Sequence, residues 1–206
     1  MYFKTAFVLS GLLTSCFGAV NITSSMPSVE LTVNGKSVKI ERIQNSSNKL
    51  KNSYAKTSRP TPPFSLQPIE PIAGITTIGE LEIISFLQQS VATNKGLLID
   101  ARLQKWYQMG TIPTAINLPF SMLSANKTAP LNVKILKLLG ANQSGGGWNF
   151  TNAQKLVIFD NGPWCNQGVL AMKSLIALGY PKNKILYYRG GMQYWQLLGF
   201  NMQMKK

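Results

Sequence analysis

Cys165 stands in "DNGPWCNQGVLAMKSLIALGY", residues 160–180, between an apolar run and a helix-like pattern. A thiol attacks as its thiolate, and its ordinary pKa of about 8.5 falls at a helix N-terminus or beside a cation. A helix is expected to begin a few residues after Cys165. The backbone N–H groups of Asn166, Gln167, Gly168, Val169 and Leu170 are then placed to curl around the sulfur as an anion-binding nest. Gly168 is expected to supply the permissive φ of that curl. The chain contains no His, which excludes His-based triads and His-ligated metal sites. No metal or cofactor is called for, so the main chain has to activate the cysteine. The plainer alternative is an inert cysteine buried at a turn.

The spacing separates two anion chemistries. A cysteine phosphatase needs Arg six positions after its Cys, because a guanidinium must clamp the phosphate. Here that position is Ala171, and residues 166–171 contain no Arg. A loop that cradles one sulfur atom needs no such clamp. Asp160, at the base of the loop, is expected to disfavour an anion there.

The elements that would position this loop alternate between two periods. "GLLIDA" (96–101), "TAINLP" (114–119), "KLVIFD" (155–160) and "KILYY" (184–188) read as short buried strands. Helices are expected between them: one opened by a Thr77/Glu80 capping box with Leu81, Ile84 and Leu87 on one face, one over "LNVKILKLLG", one after Cys165, and one over "GMQYWQLLG". Strands separated by helices imply an α/β domain with a parallel sheet covered on both faces. Ligands in such sheets bind beyond the carboxyl ends of strands, where Cys165 lies. Residues 141–152, "ANQSGGGWNFTN", read as an exposed loop, with Trp148 and Phe150 as anchors in preference to an entrance lining.

Upstream, "VELTVNGKSVKIERI" (29–43) is a hairpin pattern turning at Asn34-Gly35, with Leu31 facing Val38, Val29 facing Ile40 and Glu30 facing Lys39. Residues 45–63 are polar, basic and Pro-bearing, and read as a linker or extended arm. The division expected is a signal over 1–19, the hairpin and linker over 20–73, and the α/β domain over 74–206. The signal has Lys4, an apolar stretch over 5–13, and small residues after it. Two processing routes stay open: cleavage near Gly18 or Ala19, or lipidation of Cys16 at the lipobox-like "LTSC" (13–16). Either leaves Cys165 as the single thiol, so no internal disulfide forms. The location implied is periplasmic or exported, with the membrane involved only if Cys16 is lipidated.

The formal charge is +14, from 21 Lys and Arg against 7 Asp and Glu. That favours anionic partners, but the Lys residues are scattered and no nucleic-acid-reading motif accompanies them. No nucleic-acid partner is expected.

The stretch 74–200 resembles the rhodanese-like domains. "LLIDARLQKWYQMGTIPTAINLPF" looks like their Asp-x-Arg segment followed by Gly-x-Ile-Pro-x-Ala-x-Asn-x-Pro, matched by Gly110, Ile112, Pro113, Ala115, Asn117 and Pro119. "GYPKNKILYYRGGMQYWQLLGF" looks like their closing segment, with Gly190, Gly191, Trp195 and Gly199 in register. The "GPWC" loop and "YRGGMQYW" also resemble an exported subgroup, in which a second Cys would stand where this chain has Asp160. The two-cysteine redox option is then lost. The resemblance implies a parallel sheet of about five strands flanked by helices, with the hairpin and linker outside it. It further implies a sulfurtransferase in which Cys165 accepts sulfane sulfur as a persulfide. The donor would be a small sulfur compound or a persulfidated protein, and a nucleophilic acceptor would remove the sulfur. It places Asp100 and Arg102 at the pocket rim, where a structural pair tying the loop is the favoured role. Thiosulfate-using members carry a cation inside the loop. This loop is uncharged, which argues against thiosulfate. Trp164 is open to two roles, shielding a persulfide or filling the core. Two other functions stay open: a non-catalytic module binding a periplasmic protein, and a single-cysteine thiol redox protein.

Overall fold

The computed structural model describes residues 18–124, 126 and 129–204. Apart from Gly18 and Ala19, the expected signal and its lipobox lie outside them. In chain order the elements are β1 (Ser28–Val33), β2 (Lys36–Glu41), β3 (Thr76–Thr77), α1 (Glu80–Phe86), β4 (Gly96–Asp100), α2 (Gln104–Gln108) and β5 (Ile116–Asn117). They continue as α3 (Pro130–Leu138), β6 (Asn142–Ser144), β7 (Gly147–Asn149), β8 (Lys155–Phe159), α4 (Gln167–Ala177), β9 (Ile185–Tyr188) and α5 (Gly191–Leu197).

The central sheet has five parallel strands in the order β3-β9-β8-β4-β5. Successive strand residues point to opposite faces, and the two cores divide accordingly. Leu98, Val157, Phe159 and Tyr188 face α1 and α5, where Ile83, Ile84, Met192 and Trp195 bury against them. Ile99, Leu156, Ile158 and Tyr187 face α3 and α4, meeting Leu136, Met172 and Leu175. Both faces are therefore covered, which is why these strands read as continuous apolar runs. Among the described residues no helix is long and apolar enough to cross a membrane.

The β1–β2 hairpin has the register its alternation implies: Leu31 opposite Val38, Val29 opposite Ile40, Glu30 opposite Lys39. Asn34 and Gly35 both take positive φ at its turn. Its own sheet is separate, yet Val29, Leu31 and Ile40 bury in the same core as Trp195 and Cys165.

Two expectations are corrected and one open choice is decided. The first helix opens two residues later than a Thr77 cap would place it. Gly79 is its N-cap, and the Glu82 carboxylate reaches back to accept the Gly79 N–H at 3.0 Å. Leu81 faces outward, and Ile83, Ile84 and Phe86 make the buried face. Residues 142–149 form a small hairpin in place of an irregular loop, with Phe150 packed edge-on against Tyr180 at 5.4 Å. Of the two readings of the polar stretch 45–63, linker or extended arm, the arm is the one seen, with Tyr54 and Arg59 packed against Trp164 of the Cys165 loop.

Candidate active site

Cys165 follows the carboxyl end of β8 and precedes α4. A turn closes between them, with the Cys165 N–H donating to the Gly162 carbonyl at 2.9 Å. The backbone N–H groups of Gln167 and Asn161 lie close enough to favour the charged form of the sulfur. The Asn161 side-chain amide donates to it, Nδ2 lying 3.6 Å from Sγ.

The expected five-amide nest is thus smaller than the spacing implies. Gly168 gives its N–H to Asp160 Oδ2 at 2.7 Å. Leu170 donates to the Asn166 carbonyl, closing the first helical turn. Val169 is buried in the opposite core, and Asn166 is exposed. Gly168 also serves a different purpose from the one expected. Its φ is not positive; what it supplies is space, because a Cβ there would lie 3.1 Å from both Asp160 Oδ2 and Tyr187 Cε2.

The electrostatics reverse the expected activation. Burial pushes the Cys165 thiol up to about 12, and the neighbouring Asp160 charge pushes the same way. The three N–H donors oppose this and lose. The resting group is a thiol. Asp160 is itself wholly buried. Burial raises its carboxyl to about 7, against the pull of the Gly168 and Gly162 amides and the smaller influence of the Cys165 side chain.

Asp100, at the end of β4, is bound to Arg102 through Oδ1–Nε at 2.9 Å and Oδ2–Nη2 at 2.6 Å. Thr111 Oγ1 donates to Oδ2 at 2.7 Å, and Arg102 Nη2 also reaches the Gly110 carbonyl at 2.8 Å. This buried pair ties the Gly110–Thr111 corner to the sheet. It meets the sulfur only through a relay. Arg102 Nη1 donates to the Tyr54 hydroxyl at 3.0 Å, which donates to Asn161 Oδ1 at 2.6 Å. That bond fixes the Asn161 amide so that its Nδ2 faces Sγ.

Tyr54 and Asn161 are site residues that sequence reasoning missed, and Tyr54 is the one far along the chain. Its only signal is one aromatic in a polar, Pro-bearing stretch. The rest of the arm follows it onto the loop. Ser65 N–H donates to the Trp164 carbonyl at 3.2 Å and Gln67 N–H to the Pro163 carbonyl at 2.7 Å. The Arg59 guanidinium stacks on Trp164, 3.6 Å from its ring centre, and Phe64 meets the same ring edge-on at 5.2 Å. Trp164 Nε1 donates to Gln193 Oε1 at 2.6 Å. Trp164 is therefore held between arm and α5. Beside it lies a cavity of about 550 Å³ walled by Arg59, Phe64, Ser65, Trp164, Gln193 and Leu197 among others. Cys165 is 4% exposed and does not line it.

The family model for the Rhodanese-like domain matches residues 85–198, just over half of the chain. No curated protein sequence matches. Among solved structures the chain is similar to the human single domain sulfurtransferase TSTD1, at 27% identity over 59% of this chain and 95% of that one, with a TM-score of 0.41. It is similar to thiosulfate sulfurtransferase from Pseudomonas aeruginosa at 18% identity over 67% of this chain, with a TM-score of 0.46, and spans 22% of that protein's length. It is also similar to the BH2092 protein from Bacillus halodurans, at 16% identity over 63% of this chain and 77% of that one, with a TM-score of 0.46.

Proposed function

The chain belongs to the rhodanese-like domain family, and from that premise we propose that it is an exported sulfurtransferase that carries sulfane sulfur as a persulfide on Cys165. The observation that carries this reading is one buried sulfur in the loop between β8 and α4, with the Asn161 side-chain amide aimed at it, Nδ2 3.6 Å from Sγ. A persulfide ionises more readily than a thiol, so the donors that lose to burial in the resting state are better matched to the loaded one. The sulfur is taken from a donor and passed to a thiophilic acceptor, in two covalent half-reactions. Export rests on the apolar, Lys-bearing leader pattern of residues 1–19. It places the protein in the periplasm or beyond, with the membrane reached only through lipidation of Cys16.

The donor that fits is a hydropersulfide, small or protein-borne, in preference to thiosulfate. Loop residues 166–170 carry no cation, and Asp160 puts negative charge beside the sulfur. A dianionic donor meets repulsion there. The test is steady-state sulfur transfer from glutathione hydropersulfide to cyanide. The parent is expected to turn over, thiosulfate to be a much poorer donor, and Cys165→Ser to be inactive. Equal rates for parent and Cys165→Ser would remove the proposal.

One observation favours a second reading, a non-catalytic module that binds a periplasmic protein. The arm leaves Cys165 only 4% exposed. Under that reading the parent transfers no sulfur from any donor.

A further inference from the structure

The Cys165 loop carries no cation of its own, and the arm brings one to it. The Arg59 guanidinium lies on the Trp164 ring, 3.6 Å from its centre, and Trp164 is the residue before Cys165. Arg59 and Lys56 line the cavity of about 550 Å³ beside that ring, and among the described residues no Asp or Glu lines it. Phe64, Leu66, Trp164 and Leu197 give it apolar wall, with Leu66 and Leu197 left 79% and 63% exposed. A cavity of that size takes a small organic molecule. Among the described residues the Arg59 guanidinium makes one hydrogen bond, from Nη2 to the Ser53 carbonyl at 2.5 Å, and no ion pair. Its Nε has no partner. Most of its five N–H donors are therefore unspent. Tyr54 and Cys165 are the ionisable groups that act on its charge. Burial pushes each of them up to about 12, so both are neutral at pH 7 and neither cancels it. The wall is tied together from loop, α5 and arm. Trp164 Nε1 donates to Gln193 Oε1 at 2.6 Å, and Gln193 Nε2 donates to the Tyr54 carbonyl at 3.1 Å.

We propose that this cavity binds the carboxylate end of a thiol-borne substrate, and that Arg59 is the residue that selects for it. The inference rests on the sulfur-transfer reading and names the class of compound its site accepts: a carboxylate several bonds from the sulfur, joined to it by a stem that covers the apolar wall. A guanidinium fork meets a carboxylate with two parallel N–H···O bonds, and Lys56 adds a mobile point charge at the rim. Cys165 stands outside the cavity and is 4% exposed, so the cavity takes the end of the molecule that does not react. Distance between charge and sulfur is what the site rewards. A charge held at Arg59 is matched there, whereas a charge next to the reacting sulfur meets Asp160, whose own charge already acts on Cys165. Thiosulfate has only the second kind.

The test is isothermal titration calorimetry of the full chain with S-methylglutathione, a thioether that keeps both carboxylates and has no sulfur to give. The parent is expected to bind it at millimolar concentration or below. Arg59→Met is expected to bind about tenfold more weakly, and Arg59→Lys to recover part of the loss, since it restores the charge without the fork. The dimethyl ester of the same compound is expected to bind the parent about tenfold more weakly than the acid. No binding to the parent at millimolar concentration, equal binding by Arg59→Met, or equal binding of acid and ester would overturn the proposal. Should Arg59→Met fail to fold, the comparison of acid with ester decides, because it uses the parent alone. Binding of the thioether is independent of sulfur transfer. A parent that binds it through Arg59 and never loads sulfur on Cys165 keeps this site and loses the sulfur-transfer reading. A parent that loads Cys165 and does not bind the thioether loses this site alone.

Discussion

Two buried aspartates end neighbouring parallel strands. Asp100 closes β4, in register with Phe159 of β8, and Asp160 is the next residue along. Both are 0% exposed. Asp100 has a bidentate guanidinium and a hydroxyl. Asp160 has two backbone amides and, among the described residues, no ion pair. A paired carboxylate in a closed network is a strut, because every lone pair it offers is used and nothing reactive touches it. A buried carboxylate left without a cation is pushed toward its neutral form. Residue type and place on the sheet are shared, so the neighbouring side chain decides how each acid is held.

That contrast can be broken most severely at the strut. Arg102→Leu leaves Asp100 charged and unpaired in the core and should cost about 3–5 kcal/mol in urea unfolding. A loss under 1 kcal/mol would mean that Asp100 is not held as a buried ion. Gly168→Ala comes next. Its methyl would press on Asp160 Oδ2 and Tyr187 at 3.1 Å, so a loss of about 1–3 kcal/mol is expected from overpacking. A stable variant with unchanged alkylation kinetics would show that the contact is loose.

The pH dependence sharpens the same comparison. Asp160 has an ordinary value of 3.8 and a folded value of about 7. Between them the fold binds the extra proton, so this group's contribution to stability falls as pH rises from about 4 to 7. Cys165 behaves alike between 9 and about 12. Urea midpoints measured across pH should lose the first slope in Asp160→Asn and the second in Cys165→Ser. Persistence of either slope would assign it elsewhere. The smallest effect belongs to Tyr54→Phe. It deprives Asn161 Oδ1 and Arg102 Nη1 of a shared hydroxyl, and about 1–2 kcal/mol should be lost.

The sheet and the hairpin were legible because each depends on local pattern. Continuous apolar runs fix strands covered on both faces, and Asn34-Gly35 between alternating residues fixes a turn and its register. The cysteine's place beyond a strand end followed from the same pattern. What the pattern does not carry is burial supplied from far along the chain. Residues 45–63 have no apolar period, so nothing in them announces that Tyr54 enters the site or that Arg59 and Phe64 clamp Trp164. That cover helps bury the sulfur, and with Asp160 it turns the expected thiolate into a thiol. Gly168 was readable as necessary but for the wrong reason, since a steric demand and a dihedral demand leave the same letter.

The central claim is that Cys165 carries sulfur, and intact-mass spectrometry with peptide mapping tests it most directly. After incubation with glutathione hydropersulfide and removal of excess donor, the parent should gain the mass of one sulfur atom, mapped to Cys165 and discharged by cyanide. Cys165→Ser should gain none. An unmodified Cys165, with the chain folded and the donor in excess, would contradict it.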